Sequence, residues 1–122
     1  MIATPENTMA TRYYIRLPNP ALARGNDDAL AFRSESAGEL ATELEQALRT
    51  TALFDRWRDQ QDDPEGVEPG LGATDPQATV VGSQRDLAID LVVTTRLPGD
   101  LFKMRLRWLA GSHWQLRDVS AG

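Results

Sequence analysis

Hydrophobic and polar positions alternate with a period of two near the start of the chain: Tyr13, Ile15 and Leu17 fall on one side, Arg12, Tyr14 and Arg16 on the other, and Pro18-Asn19-Pro20 ends the run. Successive strand side chains point to opposite faces, so residues 12–17 are expected to form a half-buried strand closed by a proline turn. A polar stretch, Arg24-Gly25-Asn26-Asp27-Asp28, leads to Ala29–Arg33, which reads as a second short strand. The period then changes. Ser36 with Glu39 three residues later has capping-box spacing, and Leu40, Leu44, Ala47 and Leu48 recur at helical intervals with Glu39, Glu43 and Gln46 toward solvent. Glu45 and Arg49 are one turn apart and can pair. Thr50-Thr51 either interrupt this helix or cap a second one, and Leu53, Phe54 and Trp57 carry the apolar stripe on, so the pattern predicts one main helix over about residues 37–60, bent near 50 if it is continuous.

Between about 59 and 76 both periods vanish. Asp59 to Asp75 holds six acidic residues and no basic one, with Pro64, Pro69 and three glycines, which reads as a long, solvated acidic loop. Four strand-like segments follow: Ala78–Ser83, Leu87–Thr95, Phe102–Leu109 and Trp114–Val119. If Leu97-Pro98-Gly99-Asp100 is a hairpin loop, Val93 faces Met104, Leu91 faces Leu106 and Ile89 faces Trp108. The opposite face then pairs Thr94 with Lys103, Val92 with Arg105 and Asp90 with Arg107. A turn at Ala110-Gly111-Ser112 would set Trp108 against Trp114 and Arg105 against Arg117. The expected fold class is therefore α+β, one main helix on a mostly antiparallel sheet ending in a C-terminal β-meander, a layout of cystatin-like type. The alternative makes 100–110 a helix, with Asp100 as N-cap and Gly111 at its end, and gives a ferredoxin-like βαββαβ order. Periodicity counts against it, because Lys103, Arg105 and Arg107 would point to different sides of a helix.

Composition narrows the class without changing this layout. A chain of 122 residues, 41% hydrophobic and 25% charged, suits a single globular domain, placed at residues 9–122 behind a flexible tail at 1–8. The absence of cysteine removes disulfides, thiolate nucleophiles and Cys-based metal centres. Met1 to Thr11 has no cationic start leading into an apolar stretch, so a cytoplasmic protein with no membrane partner is expected. Only Lys103 among the 13 basic residues is lysine, a bacterial-like composition that reflects high-GC codon usage. Charge is divided: residues 1–83 carry net −7 and residues 84–122 net +2.

Motifs for chemistry are sparse. His113 is the only histidine and stands alone beside a turn, and no nucleophile-elbow serine accompanies it. Asp62, Asp63, Glu65 and Glu68 lack the ligand spacing of a calcium loop, and Gly66, Gly70 and Gly72 are not followed by the Lys-Ser/Thr of a phosphate loop. No catalytic residue, metal ligand or cofactor is assigned. Trp57, Trp108 and Trp114 fall at apolar-face positions and read as core. Asp90 is the best single acid for an enzyme or small-molecule pocket, although its expected partner Arg107 favours a structural ion pair.

What remains is a basic sheet face of Lys103, Arg105, Arg107 and Arg117, joined by Arg12, Tyr14 and Arg16 if the first strand adds to the same sheet. The sequence thus points to a non-catalytic protein-interaction or regulatory domain, with an acidic protein surface as the fitting partner. Single-stranded nucleic acid is the alternative on the same face, since cations meet phosphates and a tyrosine can stack on a base. An exposed edge strand would drive dimerisation, but no segment announces itself as that edge.

Overall fold

Burial alternates residue by residue along Thr11–Leu17 (β1) and along Ala88–Thr95 (β3), and the two lie side by side, antiparallel, at the centre of a four-stranded sheet. The structure is a computed structural model that describes residues 10–33 and 36–122; the tail expected at 1–8 lies outside the described residues. Between β1 and β3 come two helices, Ala37–Arg49 (α1) and Ala52–Asp59 (α2), and strand Thr79–Arg85 (β2). After β3 come helix Gly99–Ala110 (α3) and strand Gln115–Ala121 (β4). The sheet order is β2-β3-β1-β4 and every neighbouring pair is antiparallel.

The chain is therefore α+β, three helices packed on an antiparallel sheet with a strand at its C-terminal end. With α1 and α2 together filling the first helical position, the order is the split βαβ, ferredoxin-like arrangement. Layout of this kind carries no function by itself.

The C-terminal meander and the cystatin-like layout do not form. Residues 99–110 are helical: Phe102 donates its N–H to Pro98 O at 3.1 Å, Asp100 sits in the first turn, and Gly111 ends the helix at φ 66°, a left-handed value that favours glycine. Pro98 occupies the N-cap position in place of Asp100. Phe102, Arg105, Leu106, Leu109 and Ala110 are all buried, a helical stripe of i, i+3, i+4, i+7 and i+8. The stripe was masked in the sequence because one of its members is an arginine. In consequence β3 pairs with β1 and β2, Asp90 lies beside Arg16 on β1 rather than Arg107, and the expected turn at 110–112 falls at the end of α3 and the start of its link to β4.

Two smaller expectations also change. Ala29–Arg33 is irregular rather than a strand, because Gly25 and Phe32 give their N–H groups to Leu109 O, both at 3.0 Å, instead of to a sheet neighbour. The main helix is interrupted at the threonines, one of the roles their position allows, rather than bent there. Thr50 is extended (φ −129°, ψ 168°) and its hydroxyl donates to Gln46 O at 2.9 Å, the local bonding by which threonine competes with helix. Ser36 caps α1 by accepting from Glu39 N–H at 3.2 Å, and Arg49 stands 3.7 Å from Glu45, both as the spacing indicated.

The core lies between the helices and one face of the sheet. Tyr13, Ile15 and Leu17 of β1 and Ile89, Leu91 and Val93 of β3 meet Leu40, Leu44 and Leu48 of α1 and Phe102 and Leu106 of α3. Phe102 stacks on Tyr13 at 4.4 Å, and Trp57 stacks on Trp108 at 5.0 Å against the edge of the core. Gly82 lets α1 approach β2 closely, since a Cβ there would collide with Ala37 O. The same helix guards the outer edge of β2: Glu45 Oε2 accepts from Val80 N–H at 3.0 Å and Arg49 Nε donates to Ala78 O at 2.7 Å.

The acidic stretch contains two short 3-10 turns, Pro64–Gly66 and Pro69–Gly72, and ends on a buried carboxylate. Asp75 is buried, 6% exposed, and accepts from Arg96 N–H (2.7 Å), Thr95 Oγ1 (2.9 Å) and Gln77 N–H (3.0 Å). Burial alone would push its pKa up, but these donors and the Arg96 charge outweigh it and hold the carboxyl below its ordinary value. It locks the end of the loop to the start of the β3–α3 link.

Two stability outcomes follow from these contacts. Phe102→Ala should lower unfolding free energy by about 3–5 kcal/mol in urea titration, the cost of emptying a fully buried aromatic site. Asp75→Asn should cost about 1.5–3 kcal/mol at neutral pH. A depressed folded pKa gives stability that is present above the unfolded value of about 3.9 and lost as pH falls through the folded one. The gap between the two proteins should accordingly close below about pH 4.

Candidate functional site

Because cross-strand mates share a face, the registers define the side of the sheet that no helix of the described residues covers. Three rows cross it. Thr79, Thr94, Arg12 and Ser120 form the first; Val81, Val92, Tyr14 and Asp118 the second; Ser83, Asp90, Arg16 and Gln115 the third. Arg85 extends β2 beyond the third row. On β4 the register shifts opposite the Tyr14/Ile15 step, so Arg117 is inserted between Leu116 and Asp118. Arg117 joins Tyr14, Arg16, Ser83, Asp90 and Val92 around a shallow open hollow of about 290 Å³.

Charge on this face is organised around one carboxylate. Arg16 donates to Asp90 through Nε to Oδ1 at 2.7 Å and Nη2 to Oδ2 at 3.0 Å, and Arg85 Nε lies 3.3 Å from the same Oδ2. The hydrogen bond from Arg16 is the main cause, with the charges of Arg16 and Arg85 added, that holds the Asp90 pKa below the usual carboxylate range against partial burial. The same bond raises Arg16 above its ordinary value. Arg12 reaches Thr94 Oγ1 at 3.4 Å, and Arg117, among the described residues, hydrogen-bonds only Gln115 Oε1, at 3.2 Å. Four arginines thus face two carboxylates, Asp90 and Asp118.

Of the residues expected to form a basic face, Tyr14, Arg16 and Arg117 come together here and Arg12 joins them. Lys103, Arg105 and Arg107 do not: they belong to α3, on the opposite side of the sheet. Arg107 is exposed and Lys103 half-buried. Arg105 has no exposure; its Nη2 donates to Leu71 O at 2.6 Å and Ala73 O at 2.8 Å, tying the 3-10 turn at Pro69–Gly72 to α3. Its Nε and Nη1 find no hydrogen-bond partner among the described residues, and burial pushes its pKa down. Arg85 was missed. Its signal was the alternation of Val81, Ser83 and Arg85 on a strand that extends two residues past the expected end.

Elsewhere the chemistry-bearing side chains stay apart. His113 is exposed near Pro18, Asn19 and Trp114 at one end of the sheet. Asp62, Asp63, Glu65 and Glu68 are exposed, and among the described residues no group of three or more His, Asp or Glu side chains is placed to hold a metal ion. No helix among those residues is long and apolar enough to cross a membrane. No protein-family model matches the sequence, and comparison with curated proteins and with solved structures found no significant match.

The role of Arg105 is separable from recognition. Arg105→Met fills the same space without a buried charge, so global stability should move by less than about 2 kcal/mol. Amide hydrogen exchange in residues 69–75 should meanwhile rise well above that in the strands, as the two carbonyls lose their donor.

Proposed function

We propose that this chain is a non-catalytic binding domain whose helix-free sheet face holds an acidic segment of another protein. The observation that carries the reading is the arrangement of Arg12, Arg16, Arg85 and Arg117 around an apolar row of Val81, Val92 and Tyr14. Such a surface offers charge-assisted donors on both sides of a strip that takes one or two apolar side chains. An extended segment alternating acidic and apolar residues matches both features.

Two other partners fit less well. Sheet-face recognition of single-stranded nucleic acid relies on two or three rings on neighbouring strands, whereas Tyr14 here is flanked by Val92 and Asp118. Catalysis through Asp90 would call for a carboxyl poised near neutral pH. Asp90 is instead held ionised between two arginines, neither a proton donor nor a strong base at that pH.

The test is amide-resolved NMR titration with a short peptide alternating glutamate and valine, against a single-stranded DNA oligonucleotide at the same salt. Peptide shifts should cluster on residues 12–16, 81–85, 90–94 and 117. Arg12→Glu combined with Arg85→Glu should weaken peptide binding by about tenfold or more while the spectrum keeps its dispersion. Shifts that avoid this face would sink the proposal, and tighter DNA binding on it would transfer the site to nucleic acid.

A further inference from the structure

β4 is a sheet edge of an unusual kind. All seven of its residues are exposed, including Leu116 (39%) and Val119 (47%), and no helix of the described residues covers it. The other edge, β2, is held by α1 at its start, where Glu45 accepts from Val80 N–H and Arg49 donates to Ala78 O just before the strand. On β4 the hydrogen bond from Val119 N–H to Asp118 Oδ1, at 2.9 Å, is the strand's own. An open edge of this length is a template for another strand.

Its sequence names the strand that fits. The bulge places Leu116 and Val119 on the helix side, opposite Ile15 and Tyr13, although they are three residues apart. Gln115, Asp118 and Ser120 fall on the open side with Arg16, Tyr14 and Arg12, and Arg117 turns to the same side beside the hollow. From Gln115 to Ser120 the strand thus reads polar, apolar, cation, anion, apolar, polar, with mirror symmetry about its own bulge. Two copies related by a two-fold axis perpendicular to the sheet must pair residues that share a face. In a regular strand, a register centred between two residues would violate that rule. The bulge shifts the faces by one and makes it the consistent register.

We infer that β4 pairs antiparallel with β4 of a second copy of this chain, centred between Arg117 and Asp118. Leu116 then lies opposite Val119 of the partner subunit, and Arg117 opposite Asp118 of the partner subunit, each pair occurring twice. Among the described residues, neither Arg117 nor Asp118 has an oppositely charged partner in its own chain. Pairing replaces the Asp118–Val119 contact by strand hydrogen bonds and frees the carboxylate for the partner's arginine. The product is an eight-stranded sheet with both helix-free faces on the same side. The dimer does not depend on what that face binds.

Sedimentation velocity of the full chain across a wide concentration range should show a monomer–dimer equilibrium. Arg117→Asp sets acid against acid twice and should raise the dissociation constant at least about tenfold, while Arg117→Asp combined with Asp118→Arg should restore the dimer. Register is read separately, because the chain has no cysteine of its own. A mixture of Leu116→Cys and Val119→Cys chains should cross-link on oxidation far faster than either chain alone. A protein that stays monomeric throughout, a dimer indifferent to the charge exchange, or equal cross-linking of the single variants would each overturn the inference. Peptide binding is followed through Arg12 and Arg85, outside β4, so the loss of one property is not mistaken for loss of the other.

Discussion

Seven residues of β1 lie in antiparallel register with seven of β3, and that one pairing sets both sides of the molecule. Tyr13 with Val93, Ile15 with Leu91 and Leu17 with Ile89 point under the helices, while Arg12 with Thr94, Tyr14 with Val92 and Arg16 with Asp90 point away from them. A slip by one residue would exchange the sets, burying the arginines and exposing the aliphatic layer, so the hydrophobic effect fixes the register with no help from the turns. The Arg16–Asp90 fork sits on the same two strands and is satisfied only in that register. Core and candidate recognition face are thus two readings of one alternation.

The strands were legible for this reason: 11–17, 79–85, 88–95 and 115–121 all lie within a few residues of where period-two patterning put them. Helix α1 and its serine cap were legible too. Helix α3 was not, because residues 102–109 satisfy two periods at once. Phe102, Met104, Leu106 and Trp108 alternate with Lys103, Arg105 and Arg107 as a strand would, and the helical stripe is hidden by Arg105 at one of its interior positions. What decides between the periods is nonlocal: carbonyls 32 and 34 residues upstream accept from that guanidinium. Asp75 hid in the same way, since its donors on Thr95 and Arg96 lie 20 and 21 residues downstream, at and just past the end of β3.

The candidate site inherits this division. Tyr14, Arg16 and Arg117 follow from strand patterning alone and were found. Lys103, Arg105 and Arg107 were grouped with them only through a strand that is a helix. Assigning Asp90 an arginine partner on a neighbouring strand was sound as chemistry, and the neighbour was wrong because sheet order places β1, the most distant strand in sequence, directly beside β3. Alternation reveals which residues share a face of one strand; it does not reveal which strand lies next to it.

That central position of β1 has a consequence for how the chain is made. β1 is synthesised before any of its neighbours, yet both of them, β3 and β4, come from the far end of the sequence, and Thr11 ends opposite Thr95 and Ala121. At about 5–20 residues per second, several seconds separate its emergence from that of β3. During that interval Tyr13, Ile15 and Leu17 have no sheet to join, and the nascent chain carries an unpaired apolar strand. Pairing β1 requires the closure of long loops, which places the chain with mixed α/β domains, slower to fold than helical bundles of its size.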